Sequence, residues 1–357
     1  MAVNQNFEHA FSPLHASPDT LMEVQKKMQN EKKAKKHLTR GAVAALAAVL
    51  TLSVAFAAAK VVGATLHRAE EVDGNVISAF GDGDISAQKA VIFDSQGNQI
   101  DLPDMVRENT DTDTVARLVG DYLYDVEGTM TVGDYTLTLQ SFLMDEQGMG
   151  IVICRLENPD GIEYRDVGYG QITLPVGLNL CMDADAESFM DAKVYLNAAE
   201  SSDTCLQLVV YFGSFQSYQA GDPIYVCLNE IEPNAVWQVM ELQPLSYAPT
   251  AELLADGHPV TVSALGITVE NPVERELLIN ELVLHFIDGT DYVVQSEKLH
   301  QMNPLASYWQ GDSSDFPAVC YVFNRLVDVD ALSFVTLEGS CYTADNGEMQ
   351  VSLEYRK

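Results

Sequence analysis

The clearest pattern in the chain is the alternation Tyr135-Thr-Leu-Thr-Leu-Gln-Ser141. Tyr135, Leu137 and Leu139 face one way; Thr136, Thr138 and Gln140 face the other. That period of two is expected of an antiparallel strand with one buried side. Asp145-Glu-Gln-Gly148 predicts a turn, 150–156 a returning strand and Asn158-Pro-Asp-Gly161 a second turn. Short apolar runs continue at 171–175, 178–182, 193–196, 205–212, 224–228 and 236–242. A hairpin is expected over 90–100 and a short helix over 114–119. After 244–249 the pattern restarts, with strands at 260–264, 267–270, 277–287, 292–295, 319–323, 331–337 and 348–355. The stretch 298–317, which contains Trp309, reads as irregular. Many short strands without a long helical period predict a mainly β chain with two antiparallel β-sandwich-like domains, 84–245 and 246–357. Ahead of them 67–83, rich in Gly and Asp from Glu70 onward, reads as a stalk or as the first edge of the fold.

The N-terminal part has a different period. Gly41 to Ala59 holds 19 residues without a charge. As a helix it would cover roughly 28 Å, close to the thickness of a bilayer's hydrocarbon. Extended through Val61, Val62 and Leu66, it gives a single transmembrane helix over 41–66. Lys35, Lys36 and Arg40 flank its inner end, and Lys60 snorkels near the outer one. A second reading is open. Nine of the 19 residues are Ala, and Ala55-Phe56-Ala57 fits a signal-peptidase site, which would yield a secreted protein cut near Ala57. Both readings place the rest of the chain outside the cytoplasm.

Residues 1–40 form a basic arm. Ser17-Pro18-Asp19 is a helix start, with Ser17 as the cap, Pro18 at the first position and Asp19 in the first turn. Leu21, Val24 and Met28 follow on one face, and Phe7, Phe11 and Leu14 recur at similar spacing upstream. Leu14, Leu21, Val24 and Met28 are therefore the candidate partner-binding residues, a helix for the groove of a cytoplasmic protein. The same face would also suit a helix lying on the inner leaflet, with its lysines on lipid.

Charge sharpens this division. The chain of 357 residues carries a net −32. Residues 1–40 hold seven Lys/Arg and four acids, whereas 69–357 hold 11 basic and 48 acidic residues, a net −37. So acidic a body repels phosphate backbones, which argues against a nucleic-acid partner.

The run Phe11-Ser-Pro-Leu-His-Ala-Ser-Pro-Asp-Thr-Leu-Met-Glu-Val24, then Met28, lysines and an Ala-rich span, resembles the N-terminus of a group of Gram-positive single-pass membrane proteins. These are described as anti-sigma-factor-like and carry an uncharacterised β-rich ectodomain. Val132-Gly-Asp-Tyr-Thr-Leu-Thr-Leu139, Asp145-Glu-Gln-Gly148 and Arg155-Leu-Glu-Asn-Pro-Asp-Gly161 are similar to that group's strand-turn-strand signature. The resemblance implies signalling across a membrane, with residues 1–40 holding or releasing a sigma factor and the outer part meeting an unknown extracellular ligand. One departure is plain: His9, His15 and His37 have no cysteine nearby, so the zinc motif of many anti-sigma domains is missing.

Motifs of catalysis are not legible. The chain has no G-x-S-x-G, H-E-x-x-H, P-loop or C-x-x-C, and it implies no cofactor. Asp183-Ala-Asp-Ala-Glu187, Asp82-Gly-Asp84 and Asp111-Thr-Asp113 are short acidic runs without the EF-hand order, and read as solvated turns. His258, His285 and His300 are isolated in sequence. The six cysteines (154, 181, 205, 227, 320, 341) allow either disulfides or buried thiols. The expectation is a non-enzymatic transmembrane regulator. The alternative is a surface adhesion or wall-binding protein whose inner segment only anchors it.

Overall fold

Consecutive apolar runs pair with one another, as the turn chemistry requires, and build two large sheets in the computed structural model. It describes residues 60–70, 72, 74–77, 79–80, 96–106, 110–213, 218–231, 235–273, 277–310, 318–342 and 348–357. The first sheet has 12 strands: β1 (Lys60–Val62), β2 (Thr65–Arg68), β3 (Tyr124–Val132), β4 (Tyr135–Met144), β5 (Gly150–Glu157), β6 (Arg165–Gly168), β7 (Gln171–Thr173), β8 (Val176–Cys181), β9 (Phe189–Ser202), β10 (Cys205–Gly213), β11 (Ile224–Glu230) and β12 (Gln238–Leu242). Their order is β1-β12-β11-β8-β9-β10-β5-β4-β3-β2, with β6 and β7 attached beside β9. The second sheet has 10 strands: β13 (Thr250–Ala255), β14 (His258–Ser263), β15 (Gly266–Glu270), β16 (Leu277–Phe286), β17 (Asp291–Ser296), β18 (Gln301–Met302), β19 (Ala306–Gln310), β20 (Ala318–Val322), β21 (Leu332–Tyr342) and β22 (Glu348–Arg356). One helix of two turns, α1 (Thr112–Val119), precedes β3. Asp111 caps it, accepting from the Thr114 amide at 3.0 Å, while Val115 and Val119 are buried.

The chain is mainly β, as the alternation predicts, but the layers are not sandwiches. Each sheet curls on itself into a barrel or half-barrel. The physical cause lies in the ladder: β3, β4 and β9 carry register shifts that bend and over-twist the first sheet. The inward residues of β5 and β10, including Val152, Leu156, Leu208 and Phe212, join one core. Their outward residues Ile151, Ile153, Val209 and Tyr211 join another, together with Ala264, Leu265, Leu305 and Val322 of the second half. Burial on both faces explains why 205–212 reads as a continuous apolar run rather than an alternation. The second half closes on its own core, which includes Leu253, Val262, Leu284, Val335 and Tyr355. The first sheet ends at Leu242 and the second begins at Thr250, either side of 244–249. The described residues from Lys60 onward form one compact unit, because the shared core joins both sheets.

β3, β6 and β13 carried no expectation, and three expected readings are corrected. Residues 60–62 and 65–68 are strands β1 and β2 and not the end of a helix running to 66. β-branched Val61, Val62 and Thr65 suit an extended backbone, and strand partners are at hand. Of the two readings of 67–83, its described residues favour the edge of the fold over a stalk: His67 and Arg68 end the edge strand β2, Val76, Ala79 and Phe80 are buried in the shared core, and Gly74–Ile77 is a helical turn. The stretch after 298 contributes β18 and β19, whose pairing with β17 and β20 overrides its polar composition. The apolar stretch 41–59 and the arm 1–40 lie outside the described residues. Among the described residues no helix is long and apolar enough to cross a membrane.

Candidate functional site

The first barrel is closed by the residues that follow the apolar stretch. β1 pairs in parallel with β12, Lys60 opposite Gln238, and β2 pairs antiparallel with β3, Thr65 opposite Glu127. A segment of nine residues therefore starts on one edge of the sheet and finishes on the other. Between those edges the Gln238 carboxamide acts as a stand-in peptide: the Thr131 amide donates to its Oε1 at 3.3 Å, and its Nε2 donates to the Thr131 carbonyl. Inside the seam Met240 fills the space beside Gly128, where a Cβ would overlap its sulfur.

A second constellation joins the two halves. Asp145, at the end of β4, is fully buried. Its Oδ1 accepts from the amides of Gln147 (2.9 Å) and Met149 (3.0 Å), and its Oδ2 accepts from the Ser263 hydroxyl at 2.5 Å. Ser263 Oγ in turn accepts from the amides of Leu265 and Gly266, at 3.0 and 3.2 Å. Burial raises the carboxyl from 3.8 to about 6; the hydrogen bonds from Ser263, Met149 and Gln147 oppose this, and the neighbouring Glu146 charge adds to it. Around this core Tyr195 donates to the Leu305 carbonyl at 2.6 Å, and Tyr211 to the Ala79 carbonyl at 2.5 Å. Their rings meet edge-on, 5.2 Å apart.

The third constellation looks like a catalytic triad. His285 Nδ1 lies 2.7 Å from Asp291 Oδ1, and its Nε2 lies 3.0 Å from Thr336 Oγ1. The imidazole stacks on Phe334 at 4.2 Å, and Arg356 covers the other ring at 4.9 Å. An acyl-transfer site also needs free donors for the oxyanion. Thr336 sits mid-strand in β21, paired on both sides by Val283 and Glu354, so the local backbone amides belong to ladders. The line is a hydrogen-bonded clamp across β17, β16 and β21.

The sequence-selected residues fall unevenly. Leu14, Leu21, Val24, Met28, Lys35, Lys36 and Arg40 lie outside the described residues, and Lys60 opens β1. Asp183 spends its carboxylate on its own turn, accepting from Asp185, Glu187 and Ser188. Burial works against its charge, but those hydrogen bonds outweigh it and hold the carboxyl below its usual range. The six cysteines are free thiols. Burial pushes the Cys154 thiol up to about 12, and a hydrogen bond with Cys181, aided by burial, raises Cys227. Asp145, Ser263 and Gln238 escaped the sequence reading. The available signal was a polar residue inside or directly after an apolar strand: Asp145 after Leu143-Met144, Gln238 ahead of Val239-Met240.

Open clefts lie apart from these junctions. One of about 540 Å³ is lined by Tyr135, Asn158, Asp160, Ile162, Glu163, Pro175 and Asp203. Another, of about 510 Å³, lies between Arg68, Val72, Ala116 and Arg117.

No family model matches the chain, and no curated protein matches it. Among solved structures it is similar to a chain described as the crystal structure of the conserved domain protein from Bacillus anthracis. The identity is 9% and the TM-score 0.34, over 63% of this chain and 87% of that one.

Proposed function

We propose that the chain is a non-enzymatic single-pass membrane regulator of the anti-sigma-factor-like kind. In this reading residues 1–40 form a cytoplasmic helical arm, 41–59 span the bilayer, and the acidic β body lies outside as the sensing or binding part. The supporting observation is the seam. The residues that follow the apolar stretch in sequence, Lys60–Val62 and Thr65–Arg68, are built into both edges of the first sheet.

The arm carries the output. Full-length protein in mild detergent should retain a specific soluble cytoplasmic partner, of which a sigma factor is the expected kind. Leu21→Asp and Val24→Asp should each abolish retention by placing a charge on the binding face. Retention that survives both changes contradicts the reading.

A further inference from the structure

The strand register sets two thiols side by side on one face of the first sheet. β11 pairs with β8 so that Tyr225 stands opposite Cys181 and Cys227 opposite Asn179. Cys181 and Cys227 are therefore diagonal neighbours on one face of adjacent strands, and their side chains share a hydrogen bond. The alternate residues Leu180, Val226 and Leu228 belong to the core of the first barrel. The thiols face the other way, into a small cluster with Ala186, Tyr225 and Val239. The cover over that cluster is thin. Ala186 is buried between exposed Asp185 and Glu187, with half-buried Ala184 and Trp237 packed beside it. Its φ of 56° lies in the left-handed region, which costs a residue with a Cβ free energy. The turn is fastened by one side chain: the Asp183 carboxylate accepts from the amides of Asp185, Glu187 and Ser188 at 3.0, 3.1 and 2.7 Å. A surface turn with so few apolar contacts opens at lower cost than the barrel beneath it unfolds.

We propose that Cys181 and Cys227 are a redox pair that closes to an intrachain disulfide across β8 and β11 when the 183–188 turn opens, with an organic disulfide as the oxidant. The chemistry is two successive exchanges. The Cys181 thiolate, its proton given to solvent, attacks one sulfur of the organic disulfide, whose S–S bond breaks as one organic thiolate leaves. The Cys227 thiolate then attacks the Cys181 sulfur of the mixed disulfide, and the second organic thiolate leaves. Two protein thiols are oxidised, one organic disulfide is reduced to two thiols, and the two protons end on those thiols. Cys181 reacts first because it is the last residue of β8, beside the turn. The new bond, about 2.05 Å long, draws that strand end towards β11. The ladder to β9 holds it at two positions, Leu180 with Met190 and Cys181 with Phe189. Burial keeps the closed pair unreactive, so opening of the turn is the gate. Cys205 supplies the contrast. It is half-buried, Arg155 donates to its sulfur at 3.1 Å, and its strand partners are Glu157 and Ser202, so its reaction stops at the mixed disulfide.

The test uses full-length protein in mild detergent, reduced, freed of reductant and incubated folded with oxidised glutathione. The sample is then quenched in acid, denatured, alkylated and digested without reduction. The expected product is a peptide pair joined through Cys181 and Cys227. Cys181→Ser and Cys227→Ser should each remove it, and Asp183→Ala, which unfastens the turn, should speed its formation roughly tenfold. Both cysteines alkylated after overnight incubation of the wild type overturn the proposal. Separate glutathione adducts on the two, or cross-links only to other cysteines, also overturn it. A rate unchanged by Asp183→Ala overturns the turn as the gate. The cross-link itself is read on the wild-type chain, so a variant that misfolds leaves the main outcome decided.

Discussion

The Asp145 carboxylate and the Ser263 hydroxyl stand 118 positions apart in the chain and share a 2.5 Å hydrogen bond in the buried junction between the two β halves. Ser263 caps Leu265 and Gly266, and Asp145 caps Gln147 and Met149, so one contact organises a turn from each half. Asp145→Ala leaves the buried Ser263 hydroxyl, the buried Met149 amide and the part-buried Gln147 amide without their partner. It should cost about 2–4 kcal/mol in denaturant unfolding. Asp145→Asn keeps the acceptor for the Gln147 and Met149 amides but sets an NH2 against the Ser263 hydroxyl, whose oxygen already accepts from two amides, so it should cost less than Asp145→Ala without being neutral. Equal losses for the two variants would mean that shape rather than hydrogen bonding holds the junction.

The same carboxyl makes stability depend on pH. Its folded value, about 6, lies above the ordinary 3.8, so the folded state binds the proton more tightly. The stabilisation is therefore complete below about pH 4 and is lost as pH rises through about 6. It is worth on the order of 3 kcal/mol across that window. Many other carboxylates titrate there as well. The measurement is thus the difference between wild type and Asp145→Asn, which should grow in the wild type's disfavour from pH 4 to pH 7. A difference that stays flat refutes the assignment.

At Gly266 an added Cβ would meet the Tyr321 carbonyl and Met149 Sδ, the latter at 2.7 Å. Gly266→Val should force β15 away from β20 and cost about 1–3 kcal/mol. Thermal unfolding that matches wild type would show that the junction is softer than its geometry implies.

Gln238→Leu removes both seam hydrogen bonds from the Thr131 backbone while keeping the bulk. The expected loss is about 1 kcal/mol, with faster amide exchange at Thr131 and unchanged exchange in β16. Unchanged exchange at Thr131 would mean that β1 and β2 hold the seam alone.

Thr336→Val and His285→Ala should leave any background hydrolysis of an activated ester as it was. Each should lower stability by roughly 0.5–1.5 kcal/mol, the usual size of a lost hydrogen bond. A loss of hydrolysis in both would place chemistry on the Asp291–His285–Thr336 line.

Much of the fold was legible because strands announce themselves locally. The alternation at 135–141 became β4, and the runs at 150–156, 267–270 and 292–295 became β5, β15 and β17 with small changes of boundary. Curvature was not legible, since the register shifts in β3, β4 and β9 depend on which residues oppose one another and not on any single run. The stalk reading of 67–83 failed because Val76, Ala79 and Phe80 are sparse in sequence and become core only when the shared surface covers them. Asp145 looked like an ordinary turn acid. Its partner is set by tertiary contact, and nothing near it in sequence marks Ser263.

The segment after the apolar stretch is a working part of the barrel and not a tether. Hydrogen exchange of amides 60–68 in the full chain, reconstituted in lipid, tests this most directly. Protection close to that of β3 and β12 is the predicted result. Exchange at the rate of an unstructured peptide would contradict it, because a free tether cannot couple the body to the membrane.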